Sequence, residues 1–125
     1  MNTTNACLRV TAILLCAAVL FGAVGAHVLR PLIAADRLAI FEKGVLYQFL
    51  NALGVGLVAV LGKVEILSIK RSNQICTLLS AGVVIFSGSL YLLILTQISL
   101  FGAITPIGGL ALIGSWAWLA FSLKA

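Results

Sequence analysis

With 125 residues, 62% of them apolar and only 9% charged, the chain has a mean hydropathy of +1.23. That balance excludes an ordinary water-soluble domain, in which about 25% of residues carry charge, and it suits helices in hydrocarbon, which need no polar exterior over most of their length. The net charge of +5 does not point to nucleic acid, because Arg9, Arg30, Arg37, Lys43, Lys63, Lys70, Arg71 and Lys124 are scattered between apolar runs rather than gathered on one face.

The first apolar run extends from about Val10 to Leu29, close to the roughly 20 residues that a helix needs to cross the bilayer. Arg9, the run itself and Val24-Gly25-Ala26 also have the outline of a signal peptide, but the run exceeds the usual apolar length of about 7–15 residues, so a retained span is the preferred reading. Arg30-Pro31 is expected to end this helix, since proline biases the residue before it away from helical dihedrals. From about 32 to 43, Asp36, Arg37, Glu42 and Lys43 alternate with Leu38, Ile40 and Phe41, which predicts an interfacial segment or an amphipathic lead-in. A second span reads from about 44 to 62, followed by a polar connection carrying Lys63, Glu65, Lys70 and Arg71. The third runs from about 75 to 96. An uncharged connection from Gln97 to Thr105 then leads to a fourth span of about 106 to 123, with Pro106 in its first turn, where a missing N–H is harmless.

The fold class that follows is all-α: an integral membrane four-helix bundle with short connections, residues 1–125 forming one transmembrane domain. With four spans, Arg9, Lys63, Lys70, Arg71 and Lys124 fall on one side and Arg30, Arg37 and Lys43 on the other. The larger basic set stays inside by the positive-inside rule, which puts both termini in the cytoplasm. Trp116 and Trp118 are expected at headgroup level near the end of the last span.

Small residues recur at helical spacing. Ala18, Gly22 and Ala26 share one face of the first span, Ala52 and Gly56 one of the second, and Gly108, Ala111 and Ser115 one of the fourth. Such stripes allow close helix approach, read here as packing within the chain in preference to a homodimer seam. Tyr47 and Asn51 stand four apart, as do Ser87 and Tyr91, so each pair can aim its polar groups at one neighbour. With His27 they form the candidate polar cluster, read first as structural pairing and second as ligand-facing. His27, near a span end beside Arg30, is read as an interfacial histidine rather than a proton carrier.

No Asp, Glu, Lys or Arg falls within the four apolar cores, which argues against proton-coupled transport. Nor is there a nucleophile with a base, a carboxylate pair, a phosphate loop or a metal-ligand cluster; no catalytic, cofactor-binding or metal residue is assigned, no cofactor is expected, and the chain is read as not an enzyme. Cys7, Cys16 and Cys76 lack any Cys-x-x-Cys spacing and read as small apolar residues.

Four strings in order, Gly22-Ala23-Val24-Gly25-Ala26-His27, Tyr47-Gln48, Phe86-Ser87-Gly88-Ser89-Leu90-Tyr91 and Thr105-Pro106-Ile107-Gly108-Gly109, with Trp116 beyond, resemble the YgdD-like family of small inner-membrane proteins, the domain-of-unknown-function family 423. The resemblance covers Gly22 to Trp116 and implies a bacterial inner-membrane protein of four helices, with no activity, cofactor or catalytic residue to carry over. Two departures stand out: Asn51 where the family typically has histidine, so any titrating role there is lost while hydrogen bonding survives, and Ser115 where glycine is usual.

Two functions are expected. The first is a non-catalytic membrane component acting through contact, as an accessory subunit of a larger complex or as a homo-oligomer in the lipid bilayer. The alternative is a carrier or binder of a small apolar molecule, a lipid or quinone, in a cavity lined by Tyr47, Asn51, Ser87 and Tyr91.

Overall fold

A computed structural model describes residues 3–123 and turns the apolar runs into four consecutive helices: α1 (Thr3–Val24), prolonged by one π-helical turn (Gly25–Leu29), α2 (Ala35–Lys63), α3 (Ile69–Thr96) and α4 (Leu100–Ser122). Each is long and apolar enough to cross a membrane, and together they make the all-α bundle that the composition implies. Lys124 lies outside the described residues.

The helices outrun the sequence-based boundaries, and the reason is length. α2 spans 29 residues, about 43 Å at 1.5 Å per residue against roughly 30 Å of hydrocarbon, so its first turns project beyond the acyl chains. Asp36, Arg37, Glu42 and Lys43 therefore sit at the interface without interrupting the helix. Of the two expectations for about 32–43, the structure has the amphipathic lead-in: from Ala35 onward the segment is the start of α2, whose Leu38, Phe41 and Val45 share its buried face. Likewise α3 opens at Ile69, where the Ser68 hydroxyl caps it by accepting from the Arg71 N–H at 3.1 Å. The expected connection from Gln97 to Thr105 shrinks to Gln97–Ser99, because Leu100 to Thr105 hold nothing that draws them out of the membrane. Pro106 consequently lies inside α4 rather than in its first turn.

The turns have identifiable causes. Pro31 has no N–H to continue α1, and the chain leaves through a wide turn in which the Arg30 N–H donates to the Gly25 carbonyl at 3.0 Å, a bond across five residues. At the other connections Glu65 (φ 65°) and Gln97 (φ 59°) adopt the left-handed conformation that ends helices. The Arg37 guanidinium donates to the Ile94 carbonyl at 2.5 Å, so the start of α2 holds the last turn of α3.

α2 and α3 form the centre. Half of α2's most apolar stretch and 44% of α3's are buried, against 17% for both α1 and α4, which flank the pair. The contacts follow the chain: α1 packs on α2, α2 on α3 and α3 on α4, with a lighter contact between α1 and α3. Two apolar cores result. One gathers Leu29, Leu38, Phe41, Val45, Tyr91 and Ile94 at the end holding the π turn. The other gathers Val55, Val58, Ala59, Leu67, Ile75, Leu79, Val83, Leu112 and Leu119 toward the α2–α3 turn. Gln48, Asn51 and Ser87 lie buried between them, a polar layer inside the bundle.

Candidate functional site: a polar layer and a lateral groove

Three α3 side chains fasten α3 to α2 by donating to α2 carbonyls: Ser72 to Val58 at 2.8 Å, Cys76 to Val55 at 3.5 Å and Ser87 to Gly44 at 2.7 Å. Each carbonyl already serves the helix and offers its second lone pair, so no ladder bond is lost. Such bonds average about 0.6 kcal/mol in membranes, enough to fix helix register rather than to hold the fold. Tyr91 extends the seam: its hydroxyl donates to Gln48 Oε1 at 2.6 Å, and Gln48 Nε2 donates to the Leu14 carbonyl of α1 at 2.7 Å. One amide thereby links α1, α2 and α3 where α1 is otherwise apolar. The Tyr91 ring also packs on Phe21 (4.6 Å between centroids) and Phe41 (4.9 Å).

On the opposite side of α2, Asn51 Nδ2 donates to the Tyr47 carbonyl at 2.9 Å, and Asn51 Oδ1 accepts from the Trp116 indole N–H at 2.8 Å. The headgroup-level expectation therefore does not hold for Trp116. Its ring lies over Gly54, where a β-carbon would collide with the indole, and its N–H needs a partner that hydrocarbon cannot supply. Trp118 stays nearer the end, with the Arg71 guanidinium 5.4 Å from its ring centre and bonded to Ser122 Oγ at 2.9 Å.

Between α2, α3 and α4 a groove of about 770 Å³ opens sideways from the bundle, bordered by Tyr47, Leu50, Asn51, Phe86, Leu112, Ile113 and Trp116. Tyr47 and Phe86 stand ring to ring at 5.0 Å on one wall. The Tyr47 hydroxyl makes no hydrogen bond among the described residues, whereas every buried side-chain nitrogen and oxygen among them is partnered.

The five candidate polar residues thus do not converge. Tyr47 and Asn51 line the groove; Ser87 and Tyr91 belong to the seam and border a separate cavity of about 350 Å³ on the α1 side. His27 is exposed in the π turn, away from both. Gln48, Phe86 and Trp116, absent from the candidate set, prove central. The Tyr47-Gln48 doublet was a signal for Gln48, an amide amid apolar neighbours; nothing in residue spacing pairs Trp116 with Asn51.

The small residues are used inside the chain. Ala18, Ala52, Gly56 and Ser115 are buried, Gly56 against Thr11. Ala111 faces Gly82, and a β-carbon at Gly108 would strike the Phe86 backbone. Ser115 returns its hydroxyl to the Ala111 carbonyl at 2.7 Å. Gly22 is half-buried near Val45, and Ala26 is exposed. Among the described residues no three of His, Cys, Asp and Glu are placed to hold a metal ion.

A family model described as Protein of unknown function (DUF423) matches residues 21–109. The UPF0382 membrane protein YwdK of Bacillus subtilis is 46% identical over 99 residues, 79% of this chain and 80% of its own length. The UPF0382 membrane protein SH2409 of Staphylococcus haemolyticus is 43% identical over 101 residues, 81% of this chain and 80% of its own. No solved structure matches.

Proposed function

The chain belongs to the family described as Protein of unknown function (DUF423), whose relatives are named membrane proteins, and from that footing we propose that it is a non-catalytic inner-membrane component that holds one lipid or quinone molecule in the groove between α2, α3 and α4. The observation that carries this reading is the Tyr47 hydroxyl on the groove wall, the one donor there without a partner among the described residues. Tyr47 lies one turn along α2 from the charged Lys43, about 6 Å deeper, at the level of an acyl ester or a quinone carbonyl. Such an oxygen accepts from the phenol, while Leu50, Leu112, Ile113 and Trp116 receive the attached chain.

The chain sits with both termini in the cytoplasm under this reading, because Arg9, Lys63, Lys70, Arg71 and Lys124 outnumber Arg30, Arg37 and Lys43. A second reading, an accessory subunit of a larger complex, draws support from α1 and α4, whose outer faces are almost wholly uncovered. A self-associating bundle has less, since the stripes that suggested it are spent on packing within the chain.

Native mass spectrometry of protein extracted from its own membrane in mild detergent tests the groove. The wild type is expected to carry a lipid or quinone adduct, and Ile113→Trp, which adds bulk on the groove wall, is expected to lose it. An adduct that survives in Ile113→Trp, or a bare wild type, overturns the proposal.

A further inference from the structure

Two of the three cysteines, 69 positions apart in sequence, meet across the α1–α3 contact. The Cys7 thiol of α1 points at Asn73 Oδ1 of α3, 4.0 Å away, and Asn73 stands three residues before Cys76 on the same helical face. The Cys76 thiol has Cys7 as its side-chain neighbour. Both border one notch of about 270 Å³, with Ala6, Val10, Thr77 and Ser80 completing its rim. Cys7 is half-buried and Cys76 buried, whereas Cys16 lies exposed further along α1. α1 packs mainly on α2 and only lightly on α3, so a bond at this point would join two helices that packing leaves loosely tied.

We propose that Cys7 and Cys76 are a redox pair that closes to a reversible disulfide stapling α1 to α3, with hydrogen peroxide as the oxidant. Cys7, the more accessible, attacks as its thiolate. A sulfur–oxygen bond forms, the peroxide O–O bond breaks and one water leaves, so that Cys7 becomes a sulfenic acid. The Cys76 sulfur then attacks the Cys7 sulfur: the S–S bond forms, the S–O bond breaks, and a second water departs with the Cys76 proton. Two electrons pass from the sulfurs to the peroxide. A small-molecule thiol restores the pair by exchange, as the orientation proposed above, with this end in the cytoplasm, requires of a transient disulfide. The notch that both cysteines border admits a molecule as small as peroxide.

The test uses the full chain in phospholipid nanodiscs, treated with hydrogen peroxide, blocked with N-ethylmaleimide and read by mass spectrometry. The expected product has lost two hydrogens, carries maleimide on Cys16 alone and yields a linked Cys7–Cys76 peptide. Its melting temperature rises, and dithiothreitol reverses the rise. Cys16→Ser behaves as the wild type, apart from taking no maleimide, while Cys7→Ser melts like the reduced chain and forms no internal link. Maleimide on all three cysteines after peroxide, over-oxidised Cys7 beside a free Cys76, or a link between chains overturns the proposal.

Discussion

Asn51 shows what one side chain contributes inside the bundle. Its carbonyl oxygen accepts the Trp116 N–H and its amide donates to the Tyr47 carbonyl, so Asn51→Leu strands an indole N–H in apolar surroundings. We expect a loss of about 1 kcal/mol in a reversible detergent unfolding assay, near the upper half of measured interhelical bonds in membranes. Asn51→His offers one acceptor and one donor nitrogen and should unfold close to the wild type, with Trp116 fluorescence unchanged; a loss equal to that of Asn51→Leu would show that the pairing does not hold α4. Gly108 is a steric case. Its missing β-carbon would overlap the backbone of Phe86, which cannot rotate away, so Gly108→Ala must push α4 off α3 at a cost of about 1–3 kcal/mol, measured in the same assay. At this scale the sequence was half legible. The Tyr47/Asn51 and Ser87/Tyr91 spacings identified polar residues that share faces, but which residue on another helix meets them depends on how the helices slide past one another. Trp116 and Gln48 took their places through that register.

Among the elements, apolar length revealed each span and misplaced its ends. The charges on α2 and α3 that looked like breaks are compatible with helix, because a helix longer than the hydrocarbon keeps its backbone bonds in the headgroup region as well. Pro106 misled in the same way, since a proline within a helix removes one N–H and not the helix. The Arg37 bond to the Ile94 carbonyl gives a consequence at this scale. Arg37→Ala removes the side-chain bond that holds the last turn of α3, and hydrogen exchange of the amides at Leu93 to Gln97 should accelerate several-fold while those at Leu79 to Val83 stay protected. Unchanged exchange at Leu93 to Gln97 would mean that Gln97's left-handed turn suffices to end α3.

For the whole molecule, the arrangement is a central α2–α3 pair with α1 and α4 on its flanks, two apolar cores separated by a polar layer, and a lateral groove between α2, α3 and α4. The four spans were readable from composition because the bilayer allows so few alternatives. The separation of the polar residues into a seam and a groove was not, for it depends on which sides of α2 meet α1 and α4. A lipid-facing groove with a donor on its rim differs from a mere gap in what it selects, and photolabelling distinguishes the two most directly. Membranes containing the protein are loaded with a phospholipid and an isoprenoid quinone analogue, each bearing a diazirine in its chain, irradiated, and the labelled residues mapped by mass spectrometry. Adducts concentrated on Leu50, Leu112 and Ile113 for one of the two probes, and depleted in Ile113→Trp, are the predicted result. Label spread evenly over the outer faces of α1 and α4 and indifferent to Ile113→Trp would contradict it.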